Sequence, residues 1–112
     1  MLRKENRIRL KKEFDQVFKG GSSFYNKKFG VKILKTESNI SRLGIIVNKK
    51  VSKKAVERNR IKRIIRDFFK NEIENLKLGR DIVIIVFPEE LNKKKAEIEK
   101  DLAIILNKIK KQ

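Results

Sequence analysis

The segment DIVIIVFP, at residues 81–88, constrains the fold of this chain more than any other part of the sequence. Six consecutive apolar residues, from Ile82 to Phe87, leave no polar face, and such a run indicates a central β-strand that is buried on both sides. Proline cannot donate a backbone hydrogen bond to a sheet, so we expect Pro88 to end the strand. The run is too short to span a bilayer, and we interpret the protein as soluble and cytoplasmic.

Hydrophobic spacing on either side of this strand predicts three helices. In three segments the apolar residues recur every three or four positions, which is the pattern of an amphipathic helix. The first segment begins at Leu10, the second runs from about Lys54 to Leu76, and the third begins near Asn92.

Two further strands are predicted before the second helix. The segment FGVKIL, residues 29–34, alternates with a period of two, and RLGIIVNKK, residues 42–50, is apolar and β-branched. We expect these two strands to form an antiparallel hairpin, and a short additional strand near residues 23–25 is compatible with the pattern. The expected fold class is α+β, in the order α-β-β-β-α-β-α. Residues 1–112 are expected to form one domain, in which residues 1–9 are a flexible basic arm.

The segment VERNRIKRIIRDFFK, residues 56–70, is a helix with an unusual excess of positive charge. On a helical wheel, one side carries the apolar residues that are expected to be buried, namely Ile61, Ile64, Ile65 and Phe68. The other side carries the polar and basic residues Asn59, Lys62, Arg63, Arg66 and Lys70, with Arg60 extending that surface and Arg58 near its boundary. Such a helix can bury one face and present the other to a partner.

Two features distinguish this basic face from an ordinary solvated helix, on which both signs of charge are mixed. The chain has 31 Lys+Arg against 14 Asp+Glu, a formal net charge of +17, and Glu57 and Asp67 are too few to neutralise the face. The face is also rich in arginine, whose planar fork binds phosphate bidentately.

The preceding segment NKKVSKK extends the patch through Lys49, Lys50, Lys53 and Lys54. We interpret this basic patch as a nucleic-acid-binding surface.

The residue types that the chain lacks narrow its chemistry. It contains no cysteine, which excludes disulfides and thiolate metal sites. It also contains no histidine, the commonest general base and a common zinc ligand. Catalysis by the protein itself is therefore less expected, although carboxylates and lysines remain as candidate groups.

The motif KKVSKKAVERNRIKRIIRDFF, residues 49–69, resembles the signature of the bacterial ribonuclease P protein subunit family. The core of the resemblance is Arg58-Asn59-Arg60, followed by Lys62-Arg63 and Arg66. The resemblance covers nearly the whole chain, because RLKKEFDQVFKGG is similar to the first helix of the family and the predicted strands are similar to its central strands.

The resemblance implies a sandwich of helices on a mostly antiparallel four-stranded sheet, with a left-handed βαβ crossover around the arginine-rich helix. It also implies that the protein partners a catalytic RNA, which uses Mg²⁺ to remove the 5′ leader from precursor tRNA. The protein would bind that RNA and the leader, without a tightly bound metal of its own, without a membrane and without a further protein partner.

The resemblance also implies roles for individual residues. Contacts to the catalytic RNA would come from Arg58, Asn59, Arg60, Lys62, Arg63 and Arg66, together with the neighbouring lysines at positions 49, 50, 53 and 54. A cleft for the leader would be lined by Phe14, Phe18 and Lys32, although phenylalanines four residues apart on a helix commonly belong to a core. Family members often carry an aromatic or bulky side chain where this chain has Gly30 and Lys32.

Three other classes of protein are alternatives to this assignment. A basic ribosomal protein or ribosome-assembly factor would have a similar composition, but the extended motif from Lys49 to Phe69 argues against it. A stand-alone nuclease would need clustered carboxylates for a divalent metal, and the acids of this chain are scattered. A membrane-surface protein would need an exposed apolar face beside its lysines, whereas the apolar stripes here are suited to a core.

Overall fold

The apolar run at residues 82–87 lies in the strand around which the rest of the fold is arranged. The computed structural model describes residues 2–76 and 79–111 of the chain. Over these residues the order of helices and strands is α1 (Lys11–Gly20), β1 (Ser22–Tyr25), β2 (Phe29–Lys35), β3 (Arg42–Ile46), α2 (Ala55–Glu72), β4 (Arg80–Val86) and α3 (Lys95–Lys110). The predicted α+β class and the order α-β-β-β-α-β-α are confirmed.

The four strands form one mixed sheet in the order β1-β2-β4-β3. Strand β4 is antiparallel to β2 and parallel to β3, so that Val83 lies between Lys32 on one side and Gly44 on the other. The predicted hairpin between residues 29–34 and 42–50 is therefore wrong, because β4 separates the two strands. A strand that is apolar on both faces gains most from an interior position, where both edges are hydrogen-bonded and both faces can be covered.

The hairpin that does form joins β1 to β2. Its turn is fixed by Asn26, whose Oδ1 accepts hydrogen bonds from the backbone N–H groups of Lys28, at 2.7 Å, and Phe29, at 2.8 Å. Asparagine commonly stabilises tight turns in this way. The short strand that the pattern allowed near residues 23–25 is present, and every residue of β1 is paired with β2.

Helices cover both faces of the sheet. On one face, side chains such as Val31 and Ile84 pack with Ile65 of α2 and with α3 in the larger hydrophobic core. On the other face, Val83 packs against Val17 of α1 in a second, smaller cluster. Because successive side chains of a strand point to opposite faces, β4 needs apolar residues at every position to serve both clusters.

Helix α2 joins the parallel strands β3 and β4 and so completes a βαβ unit. The helix ends at Glu72, and a short 3-10 turn, Ile73–Asn75, continues to the boundary predicted near Leu76. The left-handed crossover that the resemblance implies would be this connection between β3 and β4. The handedness of the crossover stays a prediction.

The N-terminal segment packs on the outer edge of β3. Leu2 and Ile8 are buried. The backbone N–H of Ile8 donates to the Leu43 carbonyl at 2.9 Å, and the Asn6 side chain donates to the Ser41 carbonyl at 2.8 Å. The prediction of a flexible arm is therefore wrong for residues 2–9, while residue 1 lies outside the described residues. Burial of two apolar side chains and hydrogen bonds to a strand edge order a segment that has no regular pattern of its own.

Candidate nucleic-acid interface

Helix α2 is amphipathic as the sequence predicted, with one correction near its C-terminal end. Ile61, Ile64 and Ile65 are buried, but the ring that is fully buried belongs to Phe69, while Phe68 is only half-buried. The two rings meet edge to face, with 5.2 Å between their centroids. The polar and basic residues of the other side are exposed or half-buried, namely Asn59, Arg60, Lys62, Arg63, Arg66 and Lys70.

A groove with a volume of about 490 Å³ lies beside this helix, and we call it the arginine groove. Its lining residues are Arg7, Asn59, Arg63, Arg66 and Asp67. Three guanidinium groups thus share the groove with one carboxylate. Partial burial, with a further contribution from the charge of Arg7, lowers the pKa of Arg66 below its usual value. Like charges held together in this way favour an anionic ligand between them.

Arg7 is the groove residue that sequence reasoning missed. Its Nε and Nη2 atoms donate hydrogen bonds to the Leu2 carbonyl at 3.0 and 2.8 Å, which fixes the direction of the guanidinium group. No spacing along the chain relates Arg7 to α2, because its position depends on a parallel bridge to Leu43 of β3. A local sequence pattern therefore carries no signal for it.

Arg58 and Arg60 flank the arginine groove without lining it. The Nη1 atom of Arg58 donates to the Ser52 carbonyl at 2.8 Å, in the loop before α2. The Nη2 atom of Arg60 donates to the Lys93 carbonyl at 3.2 Å, in the loop before α3. The predicted RNA-binding residues of the helix therefore separate into groove residues and flanking residues, and Lys62 also lies outside the groove lining.

The four predicted lysines lie together on the loop between β3 and the start of α2. Lys49, Lys50, Lys53 and Lys54 are all exposed. The loop is anchored underneath by the buried side chain of Val51. The lysines therefore extend the basic surface at the N-terminal end of α2, as the sequence predicted, and we call them the lysine loop.

The predicted cleft residues lie on the opposite side of the sheet, beside α1. Phe14 is half-buried and packs against the Val17–Val83 cluster, whereas Phe18 is 39% exposed. The Nζ atom of Lys32 lies over the Phe18 ring, 5.3 Å from its centroid. Of the two phenylalanines, Phe14 therefore contributes to the core, whereas Phe18 is accessible to a ligand in the cleft.

A three-residue ionic network holds α1 in place over this side of the sheet. Arg42 donates from Nε and Nη2 to the two carboxylate oxygens of Asp81, at 2.9 and 2.7 Å, and it also pairs with Glu13 of α1. The backbone N–H groups of Leu10 and Arg9, together with Arg42, lower the pKa of Glu13 to about 2. The carboxylate of Glu13 therefore stays charged, and the start of α1 stays tied to β3 and β4.

Two kinds of site do not occur in the part of the chain that the structure describes. Residues 2–76 and 79–111 contain no group of three or more Asp, Glu, His or Cys side chains arranged to hold a metal ion. Among the same residues, no helix has the length and hydropathy that crossing a membrane requires.

Comparison with known proteins identifies the family. A family model described as Ribonuclease P matches residues 2–110. This chain belongs to the ribonuclease P protein family. The match spans the arginine groove, the lysine loop and the cleft, so the whole of the candidate interface lies within the family's shared region.

Individual relatives agree with this assignment. A ribonuclease P protein component from Clostridium botulinum is 41% identical over 106 residues, which cover 94% of this chain and 95% of that protein. The structure of the Staphylococcus aureus RNase P protein superposes with a TM-score of 0.85 at 34% identity, covering 93% of this chain and 94% of the other. The Thermotoga maritima protein gives a TM-score of 0.79 at 34% identity, covering 91% and 96%. The predicted family, the protein-component assignment and the sandwich of helices on a four-stranded sheet are confirmed.

Proposed function

We propose that this protein binds the catalytic RNA of ribonuclease P through the arginine groove and the lysine loop, and holds the 5′ leader of precursor tRNA in the cleft beside α1. The RNA cleaves the leader with Mg²⁺ ions, while the protein supplies no catalytic group and binds no metal tightly by itself. The complex acts in the cytoplasm and needs no further protein.

The observation that carries this proposal is the arginine groove. Within the described residues, neither Arg63 nor Arg66 has an ion pair with a carboxylate, and Arg7 is held beside them by its hydrogen bonds to a backbone carbonyl. Guanidinium groups that form no ion pairs are costly to hold together unless an anion joins them. Phosphodiester groups of RNA supply such anions and suit the planar fork of arginine.

Reconstitution tests the activity. We expect the protein together with the catalytic RNA and Mg²⁺ to remove the 5′ leader from precursor tRNA, and the protein without the RNA to leave it intact. Cleavage by the protein alone would overturn the proposal. Copurification of ribosomal RNA instead of the catalytic RNA would favour the ribosomal alternative.

Paired arginine variants test the binding surface. We expect Arg66→Gln to weaken binding to the catalytic RNA by about tenfold, since a charge-assisted hydrogen bond to phosphate is lost. Arg3→Gln removes the same charge from an exposed side chain that pairs with Glu5 and Glu74 outside the groove, and it should bind nearly as tightly as wild type. Filter binding or anisotropy at moderate salt measures both affinities. Equal losses in the two variants would show that only net charge matters.

A further inference from the structure

Tyr25 presents an exposed aromatic ring on the cleft side of the sheet. Its side chain is 56% exposed, at the end of β1. Tyr25 is paired directly with Gly30 of β2, and Ser23 is paired with Lys32. Directly paired residues in antiparallel strands point to the same face, so Tyr25 shares a face with Lys32 and with the side of the sheet that α1 covers.

The glycine at position 30 makes room for this ring. A Cβ atom at Gly30 would lie 3.0 and 3.1 Å from Cδ1 and Cε1 of Tyr25, and 3.2 Å from Cζ of Phe87. The tyrosine ring therefore packs directly on the glycine backbone. A bulky side chain at position 30 would compete with Tyr25 for the same space. Because Gly30 has no side chain, the accessible aromatic ring at this point of the sheet comes from β1.

Lys32 lies between two accessible rings that come from different elements. Its Nζ atom is 5.3 Å from the centroid of Phe18 on α1 and 5.8 Å from the centroid of Tyr25 on β1. Both distances lie within the range of cation–π attraction. Lys32 also lowers the pKa of the Tyr25 hydroxyl, with Ser23 contributing. One cation thus stands between two π-faces, and a single-stranded nucleic acid likewise presents phosphates between successive bases.

We infer that Tyr25 is a base-stacking residue for the precursor tRNA leader, and that Lys32 contacts the adjacent phosphate from its position between Tyr25 and Phe18. This inference rests on the proposed function, because it concerns the same cleft. Stacking on an aromatic ring requires no particular base, so Tyr25 contributes affinity for the leader with little sequence preference. Tyr25 lies on β1, a strand that contributes none of the predicted cleft residues Phe14, Phe18 and Lys32.

The test uses the reconstituted holoenzyme and precursor tRNAs that carry 2-aminopurine at successive leader positions. Stacking on a ring quenches 2-aminopurine fluorescence, so we expect quenching at one leader position to be lost in Tyr25→Ala and retained in Tyr25→Phe. Tyr25→Ala should also bind leader-bearing substrate about 10-fold more weakly, the size expected for one lost stack, and leaderless tRNA unchanged. Ile104→Ala, which truncates a comparably exposed residue on α3, serves as the matched control.

The intrinsic fluorescence of the protein offers a second measurement, which needs no variant. Tyr25 is its one tyrosine and the chain has no tryptophan, so the tyrosine emission of the protein reports on this ring alone. A short single-stranded leader oligonucleotide should quench that emission, and an unchanged emission at saturating oligonucleotide would argue against stacking.

The outcomes separate this inference from the proposed function. If the wild-type holoenzyme binds leader-bearing and leaderless tRNA equally, the proposed leader cleft is wrong. If the wild type prefers the leader and Tyr25→Ala keeps both the preference and the quenching, the cleft stands and the role of Tyr25 is overturned. Loss in both Tyr25→Ala and Tyr25→Phe would assign the contact to the hydroxyl, which also overturns stacking. Melting curves of each variant verify that the fold is intact.

Discussion

Gly44 determines how closely α1 approaches the sheet. A Cβ atom at this position would lie 2.6 Å from Cε1 and 2.9 Å from Cζ of the Phe14 ring. The ring therefore rests on the backbone of β3, which explains why Phe14 is half-buried while Phe18, one turn further along α1, is accessible. The absence of a side chain at residue 44 thus shapes the base of the cleft.

We expect Gly44→Ala to lower the free energy of unfolding by about 1–3 kcal/mol, because the added methyl group displaces the Phe14 ring or the strand. Urea denaturation followed by circular dichroism measures the change. Gly20→Ala is the matched control, since the nearest atom to its Cβ is the flexible end of Leu34 at 3.3 Å. A loss of equal size in both variants would contradict this account of Gly44.

Glu90 is a buried acid that the proposed function does not use. Its side chain is fully buried and lies 3.3 Å from Nζ of Lys93. Burial, together with the neighbouring Asp101, raises the pKa of Glu90 to about 7. Burial alone would also raise the pKa of Asp101, but Lys28, Glu90 and Lys93 outweigh it and lower that pKa to about 2.

The raised pKa of Glu90 predicts a pH dependence of stability. Because this pKa lies above its ordinary value of 4.5, the folded state binds more protons than the unfolded state between about pH 4.5 and 7. Stability should therefore fall as the pH rises through that window. The contribution of Asp101 is lost only as the pH falls from about 4 towards 2, outside the same window.

We expect Glu90→Gln to remove this dependence, since glutamine stays neutral at every pH. At pH 8 the variant should exceed the wild type in unfolding free energy by about 1–3 kcal/mol, and at pH 5 the two should be closer. Thermal melting at both pH values makes the comparison. The assignment fails if the two proteins lose the same stability between pH 5 and pH 8.

Helix α2 buries Phe69 more deeply than the wheel indicated. The apolar stripe of the sequence includes both Phe68 and Phe69 within its width, because each lies four residues after a buried isoleucine. Which residues of the stripe face the core depends on how the helix packs against the sheet and α3. A periodicity therefore predicts the stripe but not which of two adjacent rings lies at its centre.

The two phenylalanines make a matched pair for mutation. We expect Phe69→Ala to lower the free energy of unfolding by about 3–5 kcal/mol, since it leaves a cavity in the main core. Phe68→Ala should lower it by clearly less, because that ring is already partly exposed to solvent. Denaturant titration of both variants measures the difference. Similar losses would show that Phe68 is as important to packing as Phe69.

The N-terminal segment is an element that acquires its structure from β3. Leu2 and Ile8 bury apolar surface, and the hydrogen bonds to Ser41 and Leu43 supply partners for a segment without a ladder of its own. Its packing brings Arg7 to the arginine groove. The segment therefore links the edge of the sheet to the surface that we propose for RNA.

Across the whole molecule, cations gather on both sides of the sheet. The arginine groove and lysine loop lie along and before α2, whereas Lys32 lies beside α1. A formal net charge of +17 attracts polyanions at long range, and the release of counterions from phosphates makes the affinity for a nucleic acid depend on salt.

The salt dependence distinguishes direct phosphate contacts from general attraction. We expect the logarithm of the association constant for the catalytic RNA to fall linearly with the logarithm of salt concentration. Arg7→Gln and Arg66→Gln should each reduce the steepness by about 0.7–0.9, the value of one phosphate contact. Arg3→Gln should leave the slope unchanged. An unchanged slope for Arg7→Gln would remove that residue from the proposed contact surface.

The sequence by itself determined the helices and strands and the basic face of α2 that we propose for RNA. The apolar run in β4, the two-sided pattern of α2 and the Arg58-Asn59-Arg60 motif are local features, and periodicity or composition reads them directly. Only the tertiary structure decided that β4 lies between β2 and β3, that Arg7 joins the arginine groove, and that Tyr25 stands beside Lys32. The first two follow from pairing between segments that are far apart in the chain, which the burial of both faces of one sheet favours, and the third follows from the register of the β1–β2 hairpin.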